Sequence, residues 1–456
     1  MKPRTISLMI MLFLSILFLT PSLVNGFFLL DDSVEFNHKK SETGPKNVIL
    51  LIGDGMGFEH INLARWVEYN NQTPLIFEDF PIKGSAITDS LSSGATDSAA
   101  AGTAIATGNK TEDGYLGMTG SSTIFPNIRE YAEYFNYSTG VVTTTEITHA
   151  TPASFYAHTD SRYNTNTIAS QLIESNCNVF LGGGSKNFAT NQITSMENRG
   201  YDFVSDLTEL NDSSSQKLFG LFSSGHLPYA YQRMQNYPSI PSLVDMTQKA
   251  IETLSNNEKG FFLMIEGGQI DFAGHANSAS DILFDLLEFE QSVMIAYEFA
   301  KNNPDTMVIV TADHETGDLV ISDTSALNNT IPIAGMSEEE NNTLRLQRLN
   351  EISLSFGSTD HTRKNVGYFI YGLDNADAPT SDPIDNTDFF PIMIDYLEIT
   401  IDEYPRPSNP TSTNTVVVTT TTLSTKKTES ASYNGFIIGF LFLISIGALK
   451  KNKRKG

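Results

Sequence analysis

The residue with the clearest chemical potential is Ser98, in the stretch 88–110 (TDSLSSGATDSAAAGTAIATGNK). It follows Asp97 and precedes a run of small residues, 99–104, which predicts a closely packed helix with Ser98 at its N-terminus. Unpaired backbone N–H groups and the positive end of the helix dipole stabilise an oxyanion or a phosphoryl group at such a position. Ser98 is therefore a candidate nucleophile, although a serine before an alanine run is more often only a helix cap.

Possible metal ligands stand at the ends of four predicted strands. They come at or after the runs NVILLI, VVTTT, FFLMI and TMVIVT, and they are Asp54, His149, Glu266 and Asp313. In an open α/β sheet the carboxyl ends of the strands line the ligand crevice, so these side chains are expected to converge on one place. Taken singly, an Asp after a strand is more often a turn residue and a lone His an ordinary surface or core group. Their joint occurrence favours a metal centre.

One predicted zinc site has one oxygen and two nitrogen ligands. Asp271 and His275 are four residues apart, so one helical turn places both on a single face. His361, in the loop cluster 358–362 (STDHT), supplies the third ligand, with Asp360 as the alternative. One carboxylate with two imidazoles is a ligand set typical of zinc.

Two further ligand sets share Asp54. With Asp313 and His314 it forms a second predicted zinc site. With Thr151 and Glu266 it forms a set of hard oxygen ligands, which suits magnesium better than zinc. Four other histidines have no comparable setting and are predicted to be ordinary surface or core residues: His38, His60, His158 and His226.

The body that must hold these residues, 45–400, alternates between strands and helices. Five apolar runs each predict a strand buried on both faces, and they are 47–52, 140–142 with its Thr-rich continuation, 261–265, 306–311 and 366–371. No internal repeat interrupts this alternation. The pattern predicts an α/β fold, a doubly wound three-layer sandwich with a mostly parallel central sheet.

Between two of these strands, the segment 282–300 has apolar residues at helical spacing. Its acidic residues are expected on the solvent side of the helix, and they are Asp285, Glu288 and Glu290. The segments 205–245 and 323–356 are more polar and irregular, and the second contains a predicted helix at 338–351. Both are interpreted as small insertions over the active-site face of the sheet.

The composition limits the possible partners. The 456 residues include 53 Asp plus Glu and 29 Lys plus Arg, which gives a formal net charge of −24. Such an acidic surface repels nucleic acid, so no nucleic acid is expected as a specific partner. It also repels phosphate esters, so an anion site must be made locally positive by metal ions or arginine. Cys177 is the only cysteine, which excludes an intrachain disulfide and a cysteine-rich zinc site.

The N-terminal end predicts a targeting segment rather than part of the fold. Residues 1–26 have a short basic start, a nearly apolar stretch and a small residue where a signal peptidase could cut. This arrangement is typical of a signal peptide and predicts export. Residues 27–44 are then an N-terminal extension before the catalytic domain, 45–404.

The C-terminal end predicts a cell-surface anchor. Residues 405–429 form a Ser/Thr-rich stalk, and 430–449 carry no charge and are long enough, at about 30 Å, to cross a bilayer as a helix. The basic tail 450–456 favours a retained single span over a cleaved lipid-anchor signal. Six Asn-x-Ser/Thr triplets are compatible with an exported glycoprotein, and they begin at Asn71, Asn109, Asn136, Asn211, Asn328 and Asn341.

Four motifs together resemble the alkaline phosphatase family. They are TDSAAAGTAIATG around Ser98, the opening IGDGMG, the stretch EGGQIDFAGHAN and TADHET, and the resemblance covers nearly all of 45–400. It implies a metal-dependent phosphate monoester hydrolase that forms a phosphoserine on Ser98 and releases inorganic phosphate. Arg162, in AHTDSR, is implied to clamp two phosphate oxygens with its planar guanidinium. The resemblance also suggests a homodimer.

The same resemblance implies two Zn²⁺ and one Mg²⁺, held by the three ligand sets above, with His149 beside the magnesium. His149 stands where some family members have an aspartate, and Phe272 stands where some have a basic or polar residue. These departures put the magnesium dependence and the pH optimum in question, but not the type of reaction.

The chemistry of such a site is coherent without the family. A serine hydroxyl is a poor nucleophile at neutral pH, and coordination to one zinc lowers its pKa. A second zinc would stabilise the oxygen of the leaving alcohol and later activate a water, and two metals about 4 Å apart can serve both ends of an in-line displacement.

Two alternatives stay open. One is a related hydrolase on the same fold that cleaves phosphodiesters or sulfate esters. Arg162 and the three-metal set favour monoesters over diesters, and the nucleophile region lacks the C/S-x-P-x-R pattern of a sulfatase. A non-catalytic cell-surface binding protein on a degenerate phosphatase fold is the other. The presence of every expected ligand argues against it.

Overall fold

A ten-stranded sheet forms the centre of the structure, a computed structural model that describes residues 44–333 and 335–405. Several predicted segments lie outside the described residues, namely the signal peptide, nearly all of the N-terminal extension and of the stalk, the transmembrane helix 430–449 and the basic tail. His38 also lies outside them. Among the helices that are described, none combines the length and the apolar character that crossing a membrane requires.

The strands run in the chain order β1 (Lys46–Gly53), β2 (Ile82–Ile87), β3 (Ser138–Glu146), β4 (Val179–Gly183), β5 (Asp202–Val204), β6 (Leu218–Leu221), β7 (Gly260–Gly267), β8 (Thr306–Thr311), β9 (Glu315–Thr316), β10 (Leu319–Asp323), β11 (Ser353–Phe356), β12 (His361–Thr362), β13 (Val366–Tyr371) and β14 (Ile384–Asp385). The sheet order is β14-β2-β13-β8-β1-β7-β3-β4-β6-β5. All pairs in it are parallel except the two that β13 makes. Two small antiparallel pairs, β10 with β11 and β9 with β12, stand apart from the sheet.

The α-helices are α1 (Phe58–Tyr69), α2 (Ser98–Thr107), α3 (Ile128–Tyr134), α4 (Ala150–Ala153), α5 (Thr165–Glu174), α6 (Thr190–Asn198), α7 (Leu207–Asp212), α8 (Ala230–Asn236), α9 (Leu243–Leu254), α10 (Gln269–His275), α11 (Ala279–Asn302), α12 (Glu338–Asn350) and α13 (Phe389–Tyr396). Short 3₁₀ turns occur at Ile76–Asp79, Ser185–Asn187, Asn386–Asp388 and Ile401–Glu403. The strand and helix predictions agree with these elements, including α12, whose N-cap is Ser337.

The central strands are covered on both faces. Every residue of β7 and β8, and all of β1 after Lys46, is buried, although successive side chains of a strand point to opposite faces. Such continuous burial requires a layer of helices on each side of the sheet. The prediction of a doubly wound, mostly parallel α/β sandwich is therefore confirmed.

One expectation about the sheet was incomplete. The segment 205–245 was interpreted as an insertion, but Leu218–Leu221 joins the main sheet as β6, between β4 and β5. Four residues are too few to show a strand period beside their polar neighbours, and the pairing with β4 and β5 supplies the stability that the local sequence lacks.

The expectation for the acidic residues of α11 was wrong. The exposed fractions of Asp285, Glu288 and Glu290 are 5%, 8% and 4%. Each carboxylate accepts a hydrogen bond from the first main-chain N–H of another helical segment: Asp285 from Ala230 of α8 at 3.1 Å, Glu288 from Leu243 of α9 at 2.8 Å, and Glu290 from Ile76 of the 3₁₀ turn at 3.0 Å. A carboxylate at a helix N-terminus satisfies an unpaired donor and meets the positive end of the helix dipole, which explains why these acids are buried.

Candidate active site

Four neighbouring strands bring the predicted ligands to one edge of the sheet. The strands β8, β1, β7 and β3 lie side by side and parallel in the centre, and their carboxyl ends lead to Asp313, Asp54, Glu266 and His149, respectively. The register places Ile52, two residues before Asp54, opposite both Thr311 and Glu266. The side chains expected to converge do converge, because adjacent parallel strands end at the same edge.

Ser98 is the first residue of α2, and Asp97 is its N-cap. Asp97 Oδ1 accepts a hydrogen bond from the N–H of Ala100 at 3.0 Å, and Oδ2 accepts one from the N–H of Gly114 at 3.0 Å. Ser98 is 1% exposed, and its Oγ lies 3.3 Å from His314 Nε2. The serine hydroxyl thus faces the predicted metal ligands from the positive end of a ten-residue helix.

The carboxylates of the crevice share an unusual pattern of hydrogen bonds. Asp313 Oδ1 accepts the N–H groups of Gly55 at 3.2 Å and His314 at 3.0 Å, and Asp54 Oδ2 accepts the hydroxyl of Thr151 at 3.3 Å. The other oxygen of each carboxylate is buried and has no partner, namely Asp313 Oδ2 and Asp54 Oδ1. One oxygen anchors the side chain, and the other is free to bind a ligand.

Glu266 follows the same pattern. Its Oε2 accepts hydrogen bonds from the hydroxyls of Thr143 and Thr145, and its Oε1 is buried without a partner. Sequence reasoning noticed the Thr-rich end of β3 but assigned it no part in the site. The signal that could have identified it is the period of two, which puts both hydroxyls on the same face of the strand.

The unpartnered oxygens and the nearby histidines form groups of the size of a metal site. In one group, His314 Nε2 lies 3.5 Å from Asp54 Oδ1 and 3.4 Å from Asp313 Oδ2. In another, single ligand atoms of Asp54, His149 and Glu266 lie within 4.8 Å of one another. The first group contains the three residues expected for the second zinc. The second contains two of the three expected for the magnesium, Asp54 and Glu266, together with His149, and the third, Thr151, bonds to Asp54 Oδ2.

The remaining group surrounds Asp271 on α10. His275 Nε2 lies 3.3 Å from Asp271 Oδ2, His361 Nε2 lies 3.6 Å from Asp271 Oδ1, and the two Nε2 atoms are 3.1 Å apart. His361 also forms a 4.8 Å group with Asp271 and His314, so the two predicted zinc sites adjoin at His314. The alternative ligand Asp360 is exposed.

The electrostatics of these groups favour cations. Burial, reinforced by the charges of the neighbouring carboxylates, raises the pKa of Asp54 well above its usual value. Burial likewise raises the pKa of Asp313 to about 6 and that of Glu266 to about 7. Burial also opposes ionisation of Asp271, but the hydrogen bond from His275 and the other nearby histidines outweigh it and hold its pKa below the usual range. Buried, unpartnered carboxylate oxygens that face imidazole nitrogens fit divalent metals, and this donor set suits Zn²⁺ and Mg²⁺.

Arg162 lies between the N-cap of α2 and His149. Its Nη1 donates to Asp97 Oδ2 at 3.0 Å, and its Nη2 lies 3.0 Å from His149 Nε2. The main-chain N–H of Arg162 donates to the oxygen of Gly114 at 2.7 Å, which fixes its loop. Asp97 therefore orients both the helix that carries Ser98 and the guanidinium, and it is a residue that sequence reasoning treated only as part of the nucleophile motif.

His226 also lies near the site, although it was predicted to be an ordinary residue. Its ring centroid lies 4.5 Å from that of Phe272 and 5.5 Å from that of His149. It comes from the loop before α8, and no feature of the local sequence indicates this position. His60 and His158, also predicted to be ordinary, bond to main-chain groups of Gly57 and Gly117.

Known proteins are similar to this chain in sequence and in fold. A model described as "Alkaline phosphatase" matches residues 45–367. Alkaline phosphatase 3 of Bacillus subtilis is 38% identical over 299 residues, which cover 62% of this chain and 64% of the relative. Alkaline phosphatase of Escherichia coli is 34% identical over 358 residues, which cover 65% and 76%. This chain thus spans about 64% of the length of the Bacillus relatives.

Solved structures agree. A cold-active alkaline phosphatase from a psychrophilic Shewanella sp. matches with a TM-score of 0.66 at 27% identity, covering 77% of this chain and 99% of that one. Alkaline phosphatase from the Antarctic bacterium TAB5 matches with a TM-score of 0.65 at 30% identity, covering 78% and 99%. The resemblance expected from the motifs is confirmed: this chain belongs to the alkaline phosphatase family.

Proposed function

We propose that this protein hydrolyses phosphate monoesters through a phosphoserine at Ser98 and releases inorganic phosphate. The observation that carries the proposal is the position of Ser98 Oγ, at a helix N-terminus and 3.3 Å from His314 Nε2, in front of buried carboxylate oxygens that have no partner. The names of the relatives and of the solved structures agree with this activity.

We assign the metal ligands as follows. Asp271, His275 and His361 hold one Zn²⁺; Asp54, Asp313 and His314 hold the other; Asp54, Thr151 and Glu266 hold Mg²⁺, with His149 beside it. Structures of two TAB5 variants, in which one histidine is replaced by Asp or Glu, have Mg bound in the M3 site, and this supports a magnesium site in the family. When bound there, the metals would act as Lewis acids: their positive charge would lower the pKa of a hydroxyl group and stabilise anionic oxygens.

The residues of the chain then perform two displacements at phosphorus. Ser98 Oγ attacks the phosphorus as the bond to the alcohol breaks, and the N–H groups at the start of α2 stabilise the charge on the phosphoryl oxygens. Arg162, already oriented by Asp97, binds two of these oxygens with its two terminal nitrogens. In the second displacement, the oxygen of a water molecule attacks the phosphorus of the phosphoserine. The bond from phosphorus to Ser98 Oγ breaks, which restores the serine and releases inorganic phosphate.

Arg162 supports monoesters over diesters. Its guanidinium offers a bidentate contact to a terminal phosphate with two free oxygens, and a diester has a second alcohol group in that place. The metals and Arg162 also offset the repulsion that a chain of net charge −24 exerts on an anionic substrate.

We also propose that the chain is exported and anchored at the cell surface by the single span 430–449, and that it forms a homodimer. The sequence pattern of the ends and the family resemblance support these proposals. Among the six Asn-x-Ser/Thr triplets, five begin at exposed residues, and they are Asn71, Asn109, Asn136, Asn211 and Asn328. Asn341 is buried and its side chain bonds to the main chain of Ile333, so we propose that it carries no glycan. Mass spectrometry of the protein from its source tests the glycans, and sedimentation tests the dimer.

The activity is tested with p-nitrophenyl phosphate and its bis-ester on residues 27–407, from pH 6 to 10. Each assay is repeated after chelation and after zinc and magnesium are returned. We expect monoester hydrolysis that is lost with the chelator and restored by the metals. A preference for the bis-ester would replace the proposal with a phosphodiesterase. A folded, metal-loaded protein without activity would favour the non-catalytic binding protein.

A further inference from the structure

Thr316 in β9 is fully buried between the two groups of predicted zinc ligands. Its hydroxyl donates to Asp271 Oδ1 at 2.5 Å, and its Oγ1 lies 3.3 Å from His314 Nδ1. A threonine hydroxyl has one proton to donate and lone pairs to accept. Because the proton goes to the carboxylate, the oxygen accepts the Nδ1–H of His314.

This contact sets the tautomer of the His314 imidazole. With the proton on Nδ1, the lone pair lies on Nε2, the atom that faces Ser98, Asp54 and Asp313. The hydrogen bond at one imidazole nitrogen decides which nitrogen is available to a metal. Thr316 therefore fixes the tautomer of His314 and one carboxylate oxygen of Asp271 with the same atom.

The other two predicted histidine ligands are oriented differently. His275 Nδ1 faces the main-chain oxygen of Thr359 at 2.5 Å, and His361 Nδ1 faces that of Thr96 at 2.8 Å. Each of these two rings therefore has its own main-chain oxygen as a partner. His314, in contrast, depends on a side chain that is shared with a ligand of the other group.

The position of Thr316 is itself rigid. Its N–H donates to the oxygen of Gly55 at 3.1 Å, and its residue pairs with His361 in the antiparallel ladder of β9 and β12. A Cβ atom on Gly55 would lie 2.8 Å from Thr316 Oγ1, so the hydroxyl fills its space against the main chain that follows β1. The main chain on both sides of the hydroxyl thus fixes where it lies relative to Asp271 and His314.

We propose that Thr316 is a positioning residue that couples the two zinc sites, by holding Asp271 of one and His314 of the other with a single hydroxyl. The inference rests on the proposed metal ligands and not on the hydrolysis. Loss of the hydroxyl should weaken binding of both zinc ions together, by the roughly 10- to 100-fold that removal of an outer-shell partner costs.

The test measures zinc binding to the metal-free, full-length protein by competition with a chromophoric chelator. Thr316→Ala and Thr316→Ser form the decisive pair, because they differ only in the hydroxyl. We expect Thr316→Ser to bind both zinc ions within about 3-fold of the wild type, and Thr316→Ala to bind both about 10- to 100-fold more weakly. Thr311→Val is the matched control, since Thr311 is a buried threonine whose hydroxyl bonds to the oxygen of Gly367 and to no predicted ligand.

A second readout follows the tautomer directly. The ¹⁵N shifts of His314 in the metal-free protein should show a protonated Nδ1 in the wild type and in Thr316→Ser, and a mixture of tautomers in Thr316→Ala. Equal zinc affinities of the Ala and Ser variants, or weakening at one site alone, would overturn the coupling. A wild type that binds two zinc ions but hydrolyses no monoester would refute the proposed function and leave this inference intact, whereas a wild type that binds no zinc would overturn both.

Discussion

Two sets of buried acids in this protein differ in what they face. The crevice set is Asp54, Glu266 and Asp313, and the α11 set is Asp285, Glu288 and Glu290. Each acid of the α11 set accepts the first N–H of a neighbouring helical segment. Each acid of the crevice set keeps one buried oxygen without a partner.

Burial alone does not distinguish the two sets. It raises the pKa of Glu290 to about 8 and that of Glu266 to about 7, and it raises the pKa values of Asp54 and Asp285 well above the usual range. The distinction lies in the hydrogen bonds, because each acid of the α11 set accepts a main-chain N–H, whereas the free oxygens of the crevice accept no hydrogen bond from the described chain. We infer that the α11 set serves the stability of the fold and that the crevice set serves metal binding.

The largest expected effect is on activity in the crevice. Ser98→Ala removes the proposed nucleophile, so kcat for p-nitrophenyl phosphate should fall by about 10³-fold or more, and no phosphoenzyme should form. Zinc content and unfolding temperature should be unchanged. Ser292→Ala, a buried serine on α11, is the control. Wild-type rates in Ser98→Ala would remove the covalent mechanism.

The next effect is on stability at α11. Glu288→Ala leaves the buried guanidinium of Arg233 without its partner and removes the acceptor of the first N–H of α9, so the free energy of unfolding should fall by about 3 kcal/mol. Activity per folded molecule should be retained. Glu298→Ala on the same helix removes an exposed ion pair with Lys301 and should cost less than about 1 kcal/mol. Chemical denaturation measures both, and equal losses would contradict the account of α11.

Arg162→Ala tests the phosphate clamp. The variant should raise KM by about 10-fold and lower kcat less, because Arg162 positions phosphate without taking part in bond making. Arg199→Ala is the control. The side chain of Arg199 bonds to the main-chain oxygen of Ser175, which is no part of the site, so this variant should leave both constants unchanged. An unchanged KM in Arg162→Ala would mean that another group binds the phosphate.

A further expected effect is a pH dependence of stability. Burial raises the pKa of Glu290 from 4.5 in the unfolded chain to about 8 in the folded protein, so the folded state holds a proton that the unfolded state has released between these pH values. The contribution of Glu290 to stability therefore falls as the pH rises from about 4.5 to about 8. Glu290→Gln removes this loss and keeps an acceptor for the N–H of Ile76. Its stability relative to the wild type should increase by about 1 to 3 kcal/mol between pH 5 and pH 9, and a difference that is constant with pH would contradict the assignment.

The sequence was sufficient where a signal is local. The apolar runs identified the central strands, and the residues at their ends identified the crevice, because parallel strands of one sheet end at one edge. The spacing of Asp271 and His275 placed both on one helical face. These features depend on a few consecutive residues.

The rest depends on contacts between distant segments. The amphipathic pattern of α11 predicted exposed acids, because periodicity does not report that the N-termini of α8, α9 and a 3₁₀ turn would meet that face. The same limit applies to Thr316, which bonds to Asp271, 45 positions before it, and to His314, two positions before it. It also applies to His226, which lies in a loop and contacts the site only through the fold. A side chain that acts through another ligand leaves no motif of its own.

The most direct test of the central claim is the unfolding free energy of the wild type and of Asp54→Asn, each measured with chelator and with saturating zinc and magnesium. If the free oxygens of the crevice bind metals, zinc and magnesium should stabilise the wild type by several kcal/mol, about RT ln(1 + [L]/Kd) for each site. They should stabilise Asp54→Asn much less, and without metals this variant should be at least as stable as the wild type, because a buried acid whose ionisation burial and the neighbouring carboxylates oppose is gone. A wild type that is equally stable with and without metals, and an Asp54→Asn variant that is destabilised in the chelator, would contradict the claim.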